Sequence, residues 1–152
     1  MKNILTGSIL ITILTLPTAS AVADVDYHKD IRPLWQEKCA ACHGAESPYV
    51  GDFKAAKEKF TAAMKGPRMD TYADLLYFVA WPDTGALMRR LDNGKSTSDG
   101  KAGNMYQYLG KTDAEREKNL GVFKAWVGDD AWTLKRRDAI TKDDLNKIKA
   151  KY

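Results

Sequence analysis

Apolar residues recur at spacings of three and four along most of the chain, and strand-like alternation is nearly absent. Such a period places apolar side chains on one face of a helix. The first predicted helix begins at Asp30, with Pro33 in its first turn, where a missing N–H costs little. Its core face carries Ile31, Leu34 and Trp35. The pattern therefore predicts an all-α fold.

Three further helices are predicted in the middle of the chain, each bounded by a sequence signal. The first covers residues 52–64, and Met64 belongs to its apolar stripe. The second opens at Thr71, and Trp81-Pro82 stops it. The third is short and runs from about Thr84 to Asp92. The middle of the chain is therefore expected to be helical as well.

An irregular loop and two more helices are predicted for the rest of the chain. The loop covers residues 94–110, which are rich in Gly and Ser and have no period. Thr112 and Glu115 form a full capping box at the start of the strongest helix, in which Gly121 predicts the close approach of another backbone. A last helix from Thr141 offers few apolar contacts. We expect this tail to be the least stable part.

The N-terminal pattern is typical of a secretory signal. Lys2 precedes an apolar run at residues 4–16, and the small residues at 21–23 suit cleavage by a peptidase. The run is shorter than the roughly 20 residues that cross a bilayer. The predicted organisation is a signal peptide at 1–23, one compact domain at 24–128 and a C-terminal helical extension at 129–152.

Charge and hydropathy exclude some classes of function. The net charge is +4, a mild basic excess that differs from the dense Lys/Arg stripe of nucleic-acid-binding proteins. No later segment approaches transmembrane length, so no membrane span is expected in the mature chain. Together with the export signal, these features predict a protein of the bacterial periplasm that does not bind nucleic acid.

The chain's two cysteines stand in a motif with a specific chemistry. Cys39, Cys42 and His43 form C-x-x-C-H, the attachment signature of c-type haem. Positions i, i+3 and i+4 of a helix share one face, so two sulfurs and one imidazole nitrogen can reach a single planar ligand. The thiols would add to the two vinyl groups, and the imidazole would bind the iron. The motif predicts one covalently bound haem c.

Three other interpretations of the motif remain open at this point. Secretion would allow a structural disulfide. A thioredoxin-like redox pair normally opens a helix after a strand, whereas this motif closes a helix that no strand precedes. A zinc site that includes His28 matches no usual finger spacing. The signal peptide and the helical content favour haem.

Two segments of the chain resemble class I c-type cytochromes with a single haem. The segment "PLWQEKCAACHG" is similar to their amino-terminal helix, and "GNMYQYLGKTDAEREKNLGVFKAWVG" is similar to their methionine loop and carboxy-terminal helix. The resemblance implies a cytochrome c-like helical domain wrapped around one covalent haem. It also implies that Met105 is an axial ligand of the iron beside His43. Residues 49–93 match the family only by helix count.

The second axial ligand decides the function. An iron with two strong protein ligands has no open site for a small molecule and is suited to electron transfer. His28 is expected before the first helix, too far along its axis to reach the iron. Met64 and Met88 are predicted to fill the core. Met105 lies in a glycine-flanked loop ahead of the strongest helix and is the favoured ligand. Met69, in a loop after a helix, is the alternative.

Haem propionates need hydrogen-bond donors. Candidate contacts from the middle of the chain are Arg68, Tyr72, Trp81, Arg89 and Arg90.

The leading functional hypothesis is a periplasmic one-electron carrier that is not an enzyme and exchanges electrons with a redox donor and a redox acceptor. Lysines near the predicted haem face indicate that such a partner has an acidic docking surface; they are Lys54, Lys57, Lys59 and Lys65. One alternative is a five-coordinate haem that binds a small gas or peroxide. Another is a haem subunit of a larger oxidoreductase, docked through the extension after Gly128.

Overall fold

A computed structural model describes residues 24–152 of the protein, and the predicted signal peptide lies outside this range. Within it the chain forms helices and turns and no strand, which confirms the all-α prediction. None of the described helices has the length and apolar character needed to span a membrane. In chain order the α-helices are α1 (Arg32–Lys38), α2 (Ala40–His43), α3 (Val50–Ala55), α4 (Lys57–Ala62), α5 (Tyr72–Val79), α6 (Ala86–Leu91), α7 (Asp113–Val127) and α8 (Lys142–Asn146). A π-helical turn covers Tyr27–Ile31, and 3₁₀ turns cover Tyr106–Leu109, Asp129–Ala131 and Arg137–Ala139.

The first helical segment begins at Asp26 and not, as the sequence predicted, at Asp30. The Asp26 carboxylate accepts a hydrogen bond from the Lys29 N–H at 2.8 Å and caps the π-helical turn that leads into α1. A carboxylate at this position also suits the positive end of the helix dipole. Ile31 and Trp35 are buried, as their place on the core face predicted.

The helix predicted over residues 52–64 is two short helices, α3 and α4. Ala56 separates them with φ −134° and ψ 45°, outside the helical region. Phe53 and Phe60 keep the predicted stripe across this break, with ring centroids 6.4 Å apart. Met64 was predicted to lie in the core, and this is wrong. It lies beyond the end of α4 with φ 55°, and its side chain is 70% exposed.

Three helices begin at the threonines that the sequence indicated. In Thr71, Thr112 and Thr141 the side-chain oxygen accepts the backbone N–H of the residue three positions later. The full capping box predicted at Thr112 is wrong, because the Glu115 carboxylate accepts from the Lys111 N–H at 2.8 Å instead. A complete capping box occurs at Thr141, where the Thr141 side chain accepts from the Asp144 N–H and the Asp144 carboxylate accepts from the Thr141 N–H.

The core lies where the two ends of the domain meet. The π-helical turn packs against α7, and their side chains form one buried cluster with Trp35, Phe123 and Trp126. Gly121 was predicted to admit a neighbouring backbone, and this is wrong. It is exposed on α7, and a Cβ atom added there would meet nothing within 4 Å.

The C-terminal tail, residues 129–152, folds back onto the first and last helices of the domain. The Lys151 carbonyl accepts hydrogen bonds from the Tyr27 N–H at 2.9 Å and from the Trp126 indole N–H at 2.8 Å. The rings of Tyr27 and Tyr152 stack with centroids 5.9 Å apart. The last residues of the tail therefore pair through the backbone in addition to the few apolar contacts that the sequence indicated, and the low stability of the tail stays a prediction.

Candidate functional site

The cysteine motif occupies a short helical turn that follows the first helix. The helix predicted to run into the cysteines does so with one interruption at Cys39, whose φ of −121° and ψ of −28° separate α1 from α2. The Cys39 carbonyl accepts the backbone N–H of Cys42 at 3.2 Å and that of His43 at 3.0 Å. These bonds hold the three side chains of the motif on a single turn.

The imidazole of His43 is held in one tautomer. Its Nδ1 atom lies 2.7 Å from the Pro67 carbonyl oxygen. A carbonyl can only accept, so Nδ1 carries the proton and donates, and the lone pair of the neutral ring is on Nε2. Burial lowers the pKa of His43, and the hydrogen bond to Pro67 opposes that shift. His43 therefore offers Nε2 as a neutral ligand atom. The hydrogen bond at Nδ1 fixes the orientation of the ring, as is general for metal-bound histidines.

Residues 66–69 form a wall against the His43 ring. The Gly66 N–H donates to the Cys42 carbonyl at 2.8 Å, and the Met69 N–H donates to the His43 carbonyl at 2.9 Å. A Cβ atom at Gly66 would lie 2.1 Å from Cε1 of His43, so only glycine leaves room for the ring. The sequence marks the Gly-Pro pair as a turn and gives no signal of this contact.

The two cysteines do not form a disulfide, and both are half-buried. Burial, with a smaller effect of Cys42, raises the pKa of the Cys39 thiol to about 12. A redox pair of the thioredoxin type needs an accessible thiolate, which this environment disfavours. Among the described residues no group of three or more His, Cys, Asp or Glu side chains could hold a metal ion such as zinc.

The donor set fits a covalently attached haem. Two cysteines that form no disulfide and one imidazole lie on one turn, and the imidazole donates from Nδ1, which leaves Nε2 available. Covalent attachment of a haem uses both thiols, and iron coordination uses the remaining nitrogen. Gly66 keeps the space beside the ring free of a side chain.

The two methionines considered as iron ligands lie in different segments, and both are half-buried against the core. The Met69 backbone is bonded to His43, as described above. The Met105 N–H donates to the Arg90 carbonyl at 2.9 Å, within the predicted irregular loop and directly before a 3₁₀ turn. Met88 is fully buried, which confirms its predicted place in the core.

Two candidate haem contacts have protein partners. The Arg68 guanidinium binds the Asp70 carboxylate, with Nη2 to Oδ2 at 2.8 Å. The Tyr72 hydroxyl donates to the Ala150 carbonyl in the tail at 2.8 Å. The sequence could not indicate the second contact, because it joins residues that are 78 positions apart.

The other candidates lie between α5, α6 and the tail. Trp81 is 63% exposed, and the Arg137 guanidinium carbon lies 5.5 Å from its ring centroid. Arg89 donates to the Thr84 carbonyl at 3.0 Å, and Arg90 donates to the Asn104 side chain at 2.8 Å. The roles of these residues toward haem remain predictions.

Comparison with known proteins identifies the family. Residues 26–152 match the sequence profile of the PccH cytochrome c family. The chain belongs to that family. It is similar to a solved structure, "Structure of monoheme cytochrome PccH from Geobacter sulfurreducens", with a TM-score of 0.79 and 55% sequence identity over 85% of this chain and 99% of the other. None of the curated proteins matches the chain.

Membership of this family confirms the resemblance to single-haem c-type cytochromes and the cytochrome c-like helical fold. The protein has one covalently bound haem c and is an electron-transfer protein.

Proposed function

We propose that this PccH-family cytochrome is a periplasmic one-electron carrier, with haem attached through Cys39 and Cys42 and iron bound by His43 and Met105. The bond from His43 Nδ1 to the Pro67 carbonyl carries the proposal, because it leaves Nε2 as a fixed, neutral ligand atom. The bound haem supplies the chemistry, since its iron alternates between the ferrous and ferric states. The chain orients the ligands, limits the access of water and presents a docking surface.

The backbone of residues 66–69 supports Met105 as the second ligand. Because the Met69 N–H is bonded to the His43 carbonyl, Met69 belongs to the same side of the motif as the first ligand. A second ligand of the iron would have to come from a segment other than the one that holds His43. Met105 belongs to a separate segment, bonded to Arg90 in the last turn of α6, and would be available as that second ligand.

A five-coordinate haem that processes peroxide is less well supported. Peroxide chemistry needs a general acid–base residue on the open face, and histidine is the usual choice. The only histidine besides His43 is His28, which is exposed in the π-helical turn. Its ring packs against that of Tyr152 with centroids 4.3 Å apart. His28 therefore belongs to the contact between the two chain ends.

A permanent subunit of a larger oxidoreductase was the other hypothesis, with the tail as its docking element. The Lys149 N–H donates to the Val127 carbonyl at 2.9 Å, and the Ala150 N–H donates to the Trp126 carbonyl at 2.9 Å. A segment whose backbone is paired with its own domain is not a free docking arm. This pairing favours a carrier that works alone.

The partner is proposed to have an acidic docking surface. Lys54, Lys57 and Lys59 are exposed along α3 and α4. The ammonium nitrogen of Lys65 lies 3.3 Å from the carbonyl of Ala41, between the two cysteines. The lysine segment, residues 54–65, therefore meets the haem-attachment turn at Lys65, and its positive charge would steer an acidic partner toward that turn.

Optical spectra of the purified holoprotein test the ligand assignment. We expect a ferric iron–methionine charge-transfer band and no carbon monoxide binding by the ferrous protein. Met105→Ala should abolish the band and open the iron to carbon monoxide, whereas Met69→Ala should keep the band. Loss of the band in Met69→Ala but not in Met105→Ala would reverse the assignment. The mass of the exported protein tests the signal peptide, since cleavage after Ala23 leaves a chain that begins at Asp24.

A further inference from the structure

Asp92 is a buried carboxylate whose partners are a backbone amide and the tail. The residue is 1% exposed and follows α6 directly. Its Oδ1 accepts the Gly94 N–H at 2.8 Å, and its Oδ2 accepts the indole N–H of Trp132 at 3.2 Å. A buried carboxylate is costly unless hydrogen bonds satisfy it. The Asp92 carboxylate is therefore stabilised by two hydrogen bonds, and Trp132 of the tail donates one of them.

Residues 90–92, at the end of α6, also hold the loop that leads to Met105. The Gly103 N–H donates to the Asp92 carbonyl at 2.8 Å, and the Met105 N–H donates to the Arg90 carbonyl at 2.9 Å. Packing between the two segments is close, since a Cβ atom at Gly103 would lie 2.3 Å from the Arg90 carbonyl oxygen. Any shift of the chain at Asp92 is thus transmitted to the backbone of Met105.

Trp132 is itself fixed on both sides. The Thr133 N–H donates to the Met88 sulfur at 3.2 Å, which ties the next residue of the tail to the middle of α6. The ammonium group of Lys124 lies 5.4 Å from the Trp132 ring centroid. The indole N–H is therefore presented to Asp92 by a part of the tail that is anchored to α6 and α7.

We propose that Trp132, acting through Asp92, is a positioning residue for the second iron ligand. The proposal rests on the proposed function, in which Met105 binds the iron. For Met105 to leave the iron, its loop has to move, and the bonds to Asp92 and Arg90 oppose that movement. Geometry held by a supporting layer of hydrogen bonds is what keeps a ligand in place. The tail thereby strengthens an iron–sulfur bond that it does not touch.

Imidazole binding to the ferric holoprotein tests this role, because imidazole competes with the methionine for the iron. Trp132→Phe keeps an aromatic ring and removes the N–H. We expect its apparent imidazole affinity to rise about ten-fold, the effect of losing one hydrogen bond to a charged group. Trp126→Phe is the matched control. It removes the other indole bond to the tail, which ends at the Lys151 carbonyl and not at the Met105 loop, and should leave the affinity unchanged.

Asp92→Asn, alone and combined with Trp132→Phe, separates the possible outcomes. Asp92→Asn keeps an oxygen for the Gly94 N–H and loses the acceptor for Trp132, so it should raise the imidazole affinity in the same direction and add nothing to Trp132→Phe. Wild-type affinity in Trp132→Phe or in Asp92→Asn, or an equal rise in the Trp126→Phe control, would overturn the proposal. Failure of the ligand assignment shows itself separately, as an iron–methionine band that survives in Met105→Ala.

Discussion

The ammonium nitrogen of Lys38 lies 2.5 Å from a carboxylate oxygen of Glu115, so the residue before the first cysteine is paired with the first turn of α7. Lys38 is largely buried, with 14% of its side chain exposed, and it also contacts Glu37 at 2.8 Å. This ion pair joins the two ends of the domain beside the haem-attachment turn. Its position predicts a pH-dependent contribution to stability.

Both members of this pair have shifted pKa values. Lys38, and then the Lys111 N–H, lowers the pKa of Glu115 below its ordinary value of 4.5. Glu115, and then Glu37, raises the pKa of Lys38 above 10.5. The carboxyl contributes stability above pH 4.5 that is lost as the pH falls through its lowered pKa. The amine contributes stability below pH 10.5 that is lost as the pH rises through its raised pKa.

We predict that Lys38→Gln is less stable than the wild type at pH 7 and that this difference shrinks toward pH 3. Urea unfolding of the holoprotein at both pH values measures it, because the midpoint and the slope of each curve together give the free energy of unfolding. Lys118→Gln, an exposed lysine of α7, is the control and should behave like the wild type at both pH values. An equal loss for Lys38→Gln at pH 7 and pH 3 would contradict the pairing.

Gly66→Ala should disturb the haem site. The added Cβ would lie 2.1 Å from Cε1 of His43, so the ring or the loop has to move, at a cost of about 1–3 kcal/mol. We expect a lower yield of covalently attached haem, measured by haem staining after denaturing electrophoresis. Gly51→Ala serves as the control, because a Cβ there meets nothing within 4 Å. Equal haem yields for the two variants would show that the His43 ring tolerates displacement.

Gly121→Ala should make the protein more stable. Gly121 lies inside α7 on an exposed face with open space around its Cα, so alanine adds no contact and restricts the unfolded chain. The expected gain is about 0.5–1 kcal/mol in the free energy of unfolding, the usual helix preference for alanine over glycine. Urea unfolding measures this gain. A loss of stability would instead indicate the close backbone approach that the sequence alone suggested.

The lysine segment should control the rate of electron transfer to an acidic redox partner. Replacing Lys54, Lys57 and Lys59 by glutamine should slow the reaction at low salt, where steering by charge is strongest. The difference should fade near physiological ionic strength, as the Debye length shortens to about 8 Å. Stopped-flow kinetics over a salt series gives both results.

The matched control for these lysines changes charge equally at another place. Lys118, Lys142 and Lys147 are exposed and lie on or after α7, away from the lysine segment in the chain. Their replacement by glutamine should slow the reaction much less. If both triple variants lose rate equally, net charge and not a docking surface determines the association.

The sequence predicted the parts of the fold that depend on neighbouring residues. The caps at Thr71 and Thr141 follow from side chains three positions apart. The turn of Cys39 to His43 follows in the same way from spacing. Nothing in the local sequence marks the backbone hydrogen bond between Tyr27 and Lys151, so the packing of the tail was missed.

The candidate site shows the same division. The motif identified the thiols and the imidazole, because their spacing is itself the chemical requirement. The bond from His43 to Pro67 joins residues 24 positions apart and could be found only after folding. Met64 was misplaced because its apolar spacing continues beyond Ala62, where the helix has already ended.

The bonds of the Lys151 carbonyl to Tyr27 and Trp126 also make one oxygen atom of the tail a shared acceptor for two elements. Tyr27 belongs to the π-helical turn that leads into α1, and Trp126 lies in the last turn of α7. The haem-attachment turn follows α1 directly. Displacement of this single carbonyl would therefore loosen, at the same time, the segment that leads to the thiols and the helix that packs against it.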